Sequence, residues 1–163
     1  MQRRLILLRH AKSDWGHEGQ TDHARPLNAR GRAAAPQVAQ RLRELGWSPA
    51  LALVSDAARA QETWALMRPA LGEVSHQRAP ALYLAEPPQL RASIGAAPDE
   101  VATLMVVGHN PGLEDLSASL AGYPVTLTTC NAACFEAEGQ TWGEALKGGS
   151  WRLVHLLRPK ELG

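Results

Sequence analysis

Arg4-Leu5-Ile6-Leu7-Leu8-Arg9-His10-Ala11 decides how this chain is read. Four apolar residues in an unbroken run fit a strand buried on both faces, as strands do in a parallel sheet covered by helices. Such a strand delivers whatever follows it to a fixed point at the carboxyl edge of the sheet, where open α/β sheets bind ligands. Here it delivers Arg9 and His10. The pattern recurs at Leu104-Met105-Val106-Val107, which precedes Gly108-His109-Asn110, and at 50–54, which precedes Ser55-Asp56-Ala57-Ala58-Arg59. Three polar sites behind three apolar runs predict one cluster of arginine and histidine. Without an anion to receive it, such a cluster would repel itself.

Between these runs the apolar residues follow helical spacing. A helix is predicted over about 28–45, with Asn28 as N-cap and Ala35, Val38, Leu42 and Leu45 on one face. Gly46 ends it, and Pro36 inside it predicts a kink or a late start. A second helix starts near Ala57 and turns Ala60, Trp64, Met67 and Leu71 inward. The stretch 77–84 holds a short strand, and Pro87-Pro88 opens a helix to about Ala96. Pro111 begins another that buries Leu113, Leu116 and Leu120 and carries Glu114 and Asp115 in its first turn. Beyond Tyr123-Pro124 the segments 134–137 and 151–157 read as strands with no helix between them, hence an antiparallel pair at one side of the sheet. The expected fold class is α/β, a three-layer α/β/α sandwich with a mostly parallel central sheet and an antiparallel strand at one side.

With 163 residues, 45% hydrophobic and 20% charged, the chain suits one compact domain over 1–163. No apolar run approaches the ~20 residues of a membrane-spanning helix. Met1-Gln2-Arg3-Arg4 leads straight into a strand too short for a signal-peptide core, so a cytoplasmic location is expected. A net charge of +1 argues against a general nucleic-acid or membrane-surface binder. Fourteen arginines stand against three lysines, and arginine is the better bidentate partner for phosphate. Cys130 and Cys134 are too few for a thiolate zinc site and suggest no disulfide framework. Neither is followed closely by an arginine that would make it a phosphatase thiolate, so both read as small core residues.

Taken together, Leu8-Arg9-His10-Ala11, Ser55-Asp56-Ala57-Ala58-Arg59-Ala60-Gln61-Glu62-Thr63 and Val107-Gly108-His109-Asn110-Pro111 resemble the histidine phosphatases of the phosphoglycerate mutase-like superfamily. Asp22-His23-Ala24-Arg25-Pro26-Leu27-Asn28-Ala29-Arg30-Gly31, the short length and the closing Arg158-Pro159-Lys160 are most similar to the small bacterial phosphohistidine phosphatases of the SixA type. The resemblance implies a metal-independent phosphatase with no cofactor. His10 would be the nucleophile, forming a phosphohistidine intermediate that water cleaves, and Arg9, Arg59 and His109 would complete the phosphate pocket. The second ring nitrogen of His10 should donate to a backbone carbonyl, fixing the tautomer. The implied partner is a phosphorylated protein, for example a histidine phosphotransfer domain, or a small phosphorylated substrate.

Around this pocket, Arg25 is a secondary candidate for substrate contact and Asp22 for orienting it. Lys12 and Ser13 follow the nucleophile closely enough to reach an incoming phosphate. Glu86 is the nearest candidate for the acid that protonates the leaving group, although a solvated residue ahead of the helix at Pro87 is its plainer reading. Imidazole leaves more readily than an alkoxide, so a phosphohistidine substrate would need that acid less. His17, His23, His76 and His155 read as surface or packing residues, and Trp142 and Trp151 as cover for the core. Three alternatives stay open. One is a phosphate-ester phosphatase of the same superfamily acting on a small molecule. Another is a non-catalytic phosphate-binding module. The third is a metal hydrolase using His10, Asp14, His109 and Asp115, against which the flanking arginines would repel a cation.

Overall fold

The computed structural model describes residues 1–16 and 19–162; His17 lies outside them. Six strands form one sheet: β1 (Gln2–Arg9), β2 (Leu51–Ser55), β3 (Ser75–Ala79), β4 (Thr103–Gly108), β5 (Ala132–Glu138) and β6 (Arg152–Leu157). Among the described residues five α-helices accompany them: α1 (Ala29–Glu44), α2 (Ala58–Leu71), α3 (Pro87–Gly95), α4 (Gly112–Ala121) and α5 (Trp142–Gly148). The strand order is β3-β2-β4-β1-β5-β6. β1, β2, β3 and β4 pair in parallel, while β5 runs antiparallel to both β1 and β6. One reversed strand therefore sits one place in from the edge.

The alternation of side chains along each strand explains the layers. Ile6, Leu8, Ala52, Val54, Met105 and Val107 face α1 and α2. Leu5, Leu7, Leu51, Leu53, Leu104 and Val106 face the opposite cluster, built on α3, α4 and α5. Leu5 to Leu8 are completely buried, and each contributes on the order of 2 kcal/mol by leaving water. That two-sided burial is what the unbroken apolar run signalled.

The structure narrows one expectation and corrects another. α1 starts at Ala29 and runs unbroken through Pro36, so there is no late start; Asn28 does cap it, its side chain accepting from Gly31 N–H at 2.9 Å. A helix, α5, does intervene between β5 and β6. It is seven residues long, capped by the Thr141 hydroxyl on Glu144 N–H, and held by burial of Trp142 and Ala145. Its glycines at 143 and 148 hid it from a propensity reading.

The topology positions the site. β2, β4 and β1 are neighbours, so the three motif-bearing segments emerge side by side, with Val54 level with Val107 and Arg9 level with Gly108. Two close approaches hold the surrounding loops. A Cβ on Gly31 would stand 2.1 Å from the Lys12 carbonyl oxygen, so the start of α1 presses on the segment behind His10. A Cβ on Gly112 would stand 1.9 Å from the Ala85 carbonyl oxygen, seating the Tyr83–Ala85 turn against the start of α4.

Candidate functional site

His10 continues the line of β1, its N–H donating to the Gly108 carbonyl at 3.1 Å. Its own carbonyl and that of Arg9 both accept from Cys130 N–H at 3.0 Å. Ala11 N–H donates to Thr63 Oγ1 at 3.0 Å, and that hydroxyl donates to the Arg59 carbonyl at 2.7 Å. The nucleophile candidate is thus pinned to β4, to the 128–131 turn and to α2 before any side chain acts.

Arg59, almost wholly buried at the start of α2, is the hub. Its Nε lies 3.3 Å from His10 Nε2 and its Nη2 3.4 Å from His109 Nδ1. The two imidazole centroids are 5.2 Å apart. A guanidinium can only donate, so both ring nitrogens facing it must be bare. Each remaining ring nitrogen then carries the proton. On His10, Nδ1–H donates to the Ala11 carbonyl at 2.7 Å, the arrangement expected for an attacking Nε2. On His109, Nε2–H donates to Ser55 Oγ at 2.7 Å, and that oxygen also accepts from Ala57 N–H at 3.3 Å.

Burial lowers His10 to about 4, with the cations of Arg59, Arg9 and Arg25 adding to it. Burial likewise lowers His109 to about 3, aided by His10 and Arg59. Both rings are therefore neutral near pH 7: one nitrogen nucleophile, and one base that can take up a proton when a dianion arrives. Arg9 donates through Nη1 to the Leu127 carbonyl at 3.1 Å, which Asn110 also holds at 2.8 Å, and its buried Nε has no partner. Burial works against its charge and nearby Glu114 supports it.

Asp22 closes the other side. Its carboxylate accepts from Arg59 Nη2 at 3.0 Å, from Arg25 Nη2 at 3.1 Å and from the Tyr83 hydroxyl. The tyrosine bond and the two guanidinium groups hold it well below the usual carboxylate range, so it is no proton donor. Arg25 is 8% exposed, lies 3.6 Å over the Trp15 ring, and leaves Nε and Nη1 unpaired. Unpartnered guanidinium donors beside two neutral imidazoles are what a tetrahedral oxyanion would satisfy.

The predicted residues fall into two groups. His10, Arg9, Arg59 and His109 come together, with Asp22 and Arg25 against them. Ser13 is buried in a bridge to Leu27, and Lys12 lines a neighbouring cleft beside α1. Glu86 is exposed at the head of α3, its N–H bonded to Gln89 Oε1 at 2.7 Å, and it makes no bond to the cluster. Sequence reasoning passed over Tyr83, whose ring meets that of His109 edge-on at 5.5 Å, and gave Ser55 no role of its own. His23, read as a surface or packing residue, pairs with Asp56 at 3.0 Å and packs edge-on against Tyr83. The four residues of the metal alternative are not gathered: Asp115 is exposed on α4, and among the described residues no three histidine, cysteine, aspartate or glutamate side chains are placed to hold an ion. Both cysteines are buried thiols pushed up to about 12 by burial.

Residues 5–83 match the family described as the histidine phosphatase superfamily (branch 1). The chain belongs to the histidine phosphatase superfamily. It is 42% identical, over 98% of its length and 79% of the relative's, to an uncharacterised chloroplastic protein of Arabidopsis thaliana. Its fold matches a crystal structure from Agrobacterium tumefaciens, assigned provisionally as a phosphohistidine phosphatase SixA, with TM-score 0.84 and 29% identity over 96% of this chain and 98% of that one. A protein histidine phosphatase SixA complexed with tungstate superposes with TM-score 0.83 at 22% identity, over 98% and 99% of the two chains, a likeness of fold. The architecture is that of the SixA-type members, and the chain is a hydrolase of the phosphatase class. Among its described residues no helix is long and apolar enough to cross a membrane.

Proposed function

We propose that the chain hydrolyses phosphohistidine, carried on a protein, through a covalent intermediate on His10 and without a metal. The observation that carries this reading is the His10 tautomer: Nδ1–H is spent on the Ala11 carbonyl, leaving a neutral Nε2 lone pair directed into the arginine cluster. In the first step Nε2 attacks phosphorus, the bond from phosphorus to the substrate nitrogen breaks, and the departing imidazole takes a proton from solvent. In the second, water attacks the phosphorus on His10, a proton passes to solvent, and inorganic phosphate leaves with Nε2 restored. Arg9, Arg59 and His109 meet the equatorial oxygens, where charge spreads in a loose transition state. Asp22 is held ionised and Glu86 stands apart, so no carboxylic acid is placed to protonate an alkoxide. That favours a nitrogen leaving group over an ester oxygen.

The test is turnover of a phosphohistidine protein, such as a phosphorylated histidine phosphotransfer domain, against a panel of small phosphate esters, with and without chelator. The expected result is preference for phosphohistidine, an acid-labile phosphoenzyme and full activity in chelator. A strong preference for esters, or loss of activity in EDTA restored by zinc or manganese, would overturn it; binding of phosphate without hydrolysis of any substrate would favour the non-catalytic module.

A further inference from the structure

Beside the phosphate pocket runs a second cleft of about 580 Å³, bounded by Lys12, the exposed face of α1, the Thr128-Thr129 turn and Pro159-Lys160. That volume lies within the ~300–1,000 Å³ typical of ligand clefts. Its charged lining residues are Lys12, Arg30 and Lys160, with no carboxylate among them. None of the three makes an ion pair or side-chain hydrogen bond among the described residues. The other surface clefts differ: near Gln40, Arg41 is paired with Glu44 at 3.2 Å, and near Ser150, Arg152 is paired with Glu136 at 3.0 Å. Glu161, the acid next to Lys160, is taken by Arg158 at 3.4 Å. The first turn of α1 also carries Arg30 and no acidic residue, although a helix start favours the opposite charge.

Two of the segments that line the cleft are joined to the reacting centre. Lys12 stands two residues past His10, and the turn bearing Thr128 and Thr129 leads into Cys130, whose N–H holds the His10 carbonyl. Ala33 and Ala34 leave α1 shallow enough for a backbone to lie along it, with Gln37 and the Thr129 hydroxyl as polar partners.

We propose that this cleft docks a carboxylate-rich segment of the phosphoprotein substrate, next to the phosphohistidine in the pocket. The proposal rests on the phosphohistidine reading and adds which proteins are accepted: those with Asp or Glu flanking the modified histidine. The three cations act as a rim that speeds encounter and fixes register, an effect that salt weakens.

The test compares two synthetic peptides phosphorylated on a single histidine, one flanked by Asp and Glu, the other by Asn and Gln, with free phosphohistidine as the third substrate. Wild type is run beside Arg30→Gln/Lys160→Gln, which leaves the pocket and Lys12 intact. Wild type should favour the acidic peptide by about tenfold in kcat/KM at low salt, the sum of two or three exposed pairs. The double variant should lose that preference and keep its rate on free phosphohistidine. Equal rates on the two peptides, or an unchanged preference in the variant, would overturn the docking role while leaving the phosphatase intact. So would inhibition by pyrophosphate that the variant loses while its peptide preference persists, which would mark a subsite for a small second anion. Should no phosphohistidine compound be turned over, the phosphatase reading fails instead. Fluorescence anisotropy of the unphosphorylated acidic peptide then decides the cleft: weaker binding by the variant supports it, equal binding refutes it.

Discussion

β1 carries an arginine at each end, and the two are used in opposite ways. Arg3, completely buried at the amino end, donates to the carbonyls of Gly139, Asp99, Val101 and Gln140 and lies 5.5 Å from the Trp142 ring. Its donors are consumed by the protein, tying the start of the strand to the loops before β4 and after β5. Arg9, at the carboxyl end, makes one hydrogen bond and leaves Nε bare; Arg25, close enough for its charge to act on His10, leaves two buried nitrogens bare. The same side chain on the same strand is a clamp where every nitrogen is met and a receptor where one is not. Burial alone does not separate the two, because Arg3, Arg25 and Arg59 are all buried. The tally of unmet donors separates Arg9 and Arg25 from Arg3; Arg59, whose nitrogens all find partners, differs in what it meets, two imidazole nitrogens and a carboxylate as well as a carbonyl.

The largest break of this contrast is His10→Ala, which should lower turnover by at least about 10⁴-fold with the fold unchanged by circular dichroism; normal turnover would refute the nucleophile assignment. Next comes the pair of arginine substitutions. Arg59→Ala should cost about 10²–10³-fold in kcat, with a smaller loss of stability than Arg3→Ala because its carboxylate partner Asp22 is 43% exposed and can turn to water. Arg3→Ala should cost on the order of 3 kcal/mol of stability by stranding buried carbonyls, with kcat of the folded protein unchanged. Urea unfolding read beside kinetics distinguishes the two, and a catalytic defect in the Arg3 variant would erase the distinction.

Inorganic phosphate or vanadate should raise the melting temperature of the wild type, since a ligand of the native state stabilises it by mass action. The shift should shrink in Arg59→Ala and persist in Arg3→Ala. The response to pH is smaller. His10 and His109 titrate at about 4 and about 3 when folded, below the ordinary histidine value of ~6.5 of the unfolded chain. The unfolded state therefore binds more protons in that window, so stability falls as pH drops from about 6.5 towards 4. Thermal melts across that range should show the decline, and His109→Gln should flatten it. The smallest effect is expected at Ser55→Ala: about tenfold in kcat, with the acid limb of the pH–rate profile displaced, because Ser55 acts through His109 and touches no phosphate. An unmoved profile would reduce Ser55 to a packing residue.

The parts of the molecule legible in its sequence are those where one local signal suffices. Leu5 to Leu8 and Leu104 to Val107 read as strands because burial on both faces leaves no polar residue in the run, and Asn28 read as a cap because its chemistry is local. The meeting of Arg9-His10, Arg59 and His109 followed from placing each behind its strand. What escaped was pairing at long range. Ser55 finds His109 across 54 positions and Tyr83 finds Asp22 across 61, and nothing in the local pattern of either member announces the other. α5 escaped for a related reason: it is short and glycine-flanked, and it is held by packing on α3 and by Trp142, which meets Arg3 and the Val101 carbonyl, both remote in sequence.

The sealed thiols carry one last consequence. With an imidazole nitrogen as the reacting atom, and Cys130 and Cys134 protonated in the core, the centre offers peroxide no thiolate to oxidise. Oxidative inactivation of the kind that silences cysteine-based phosphatases has no foothold there.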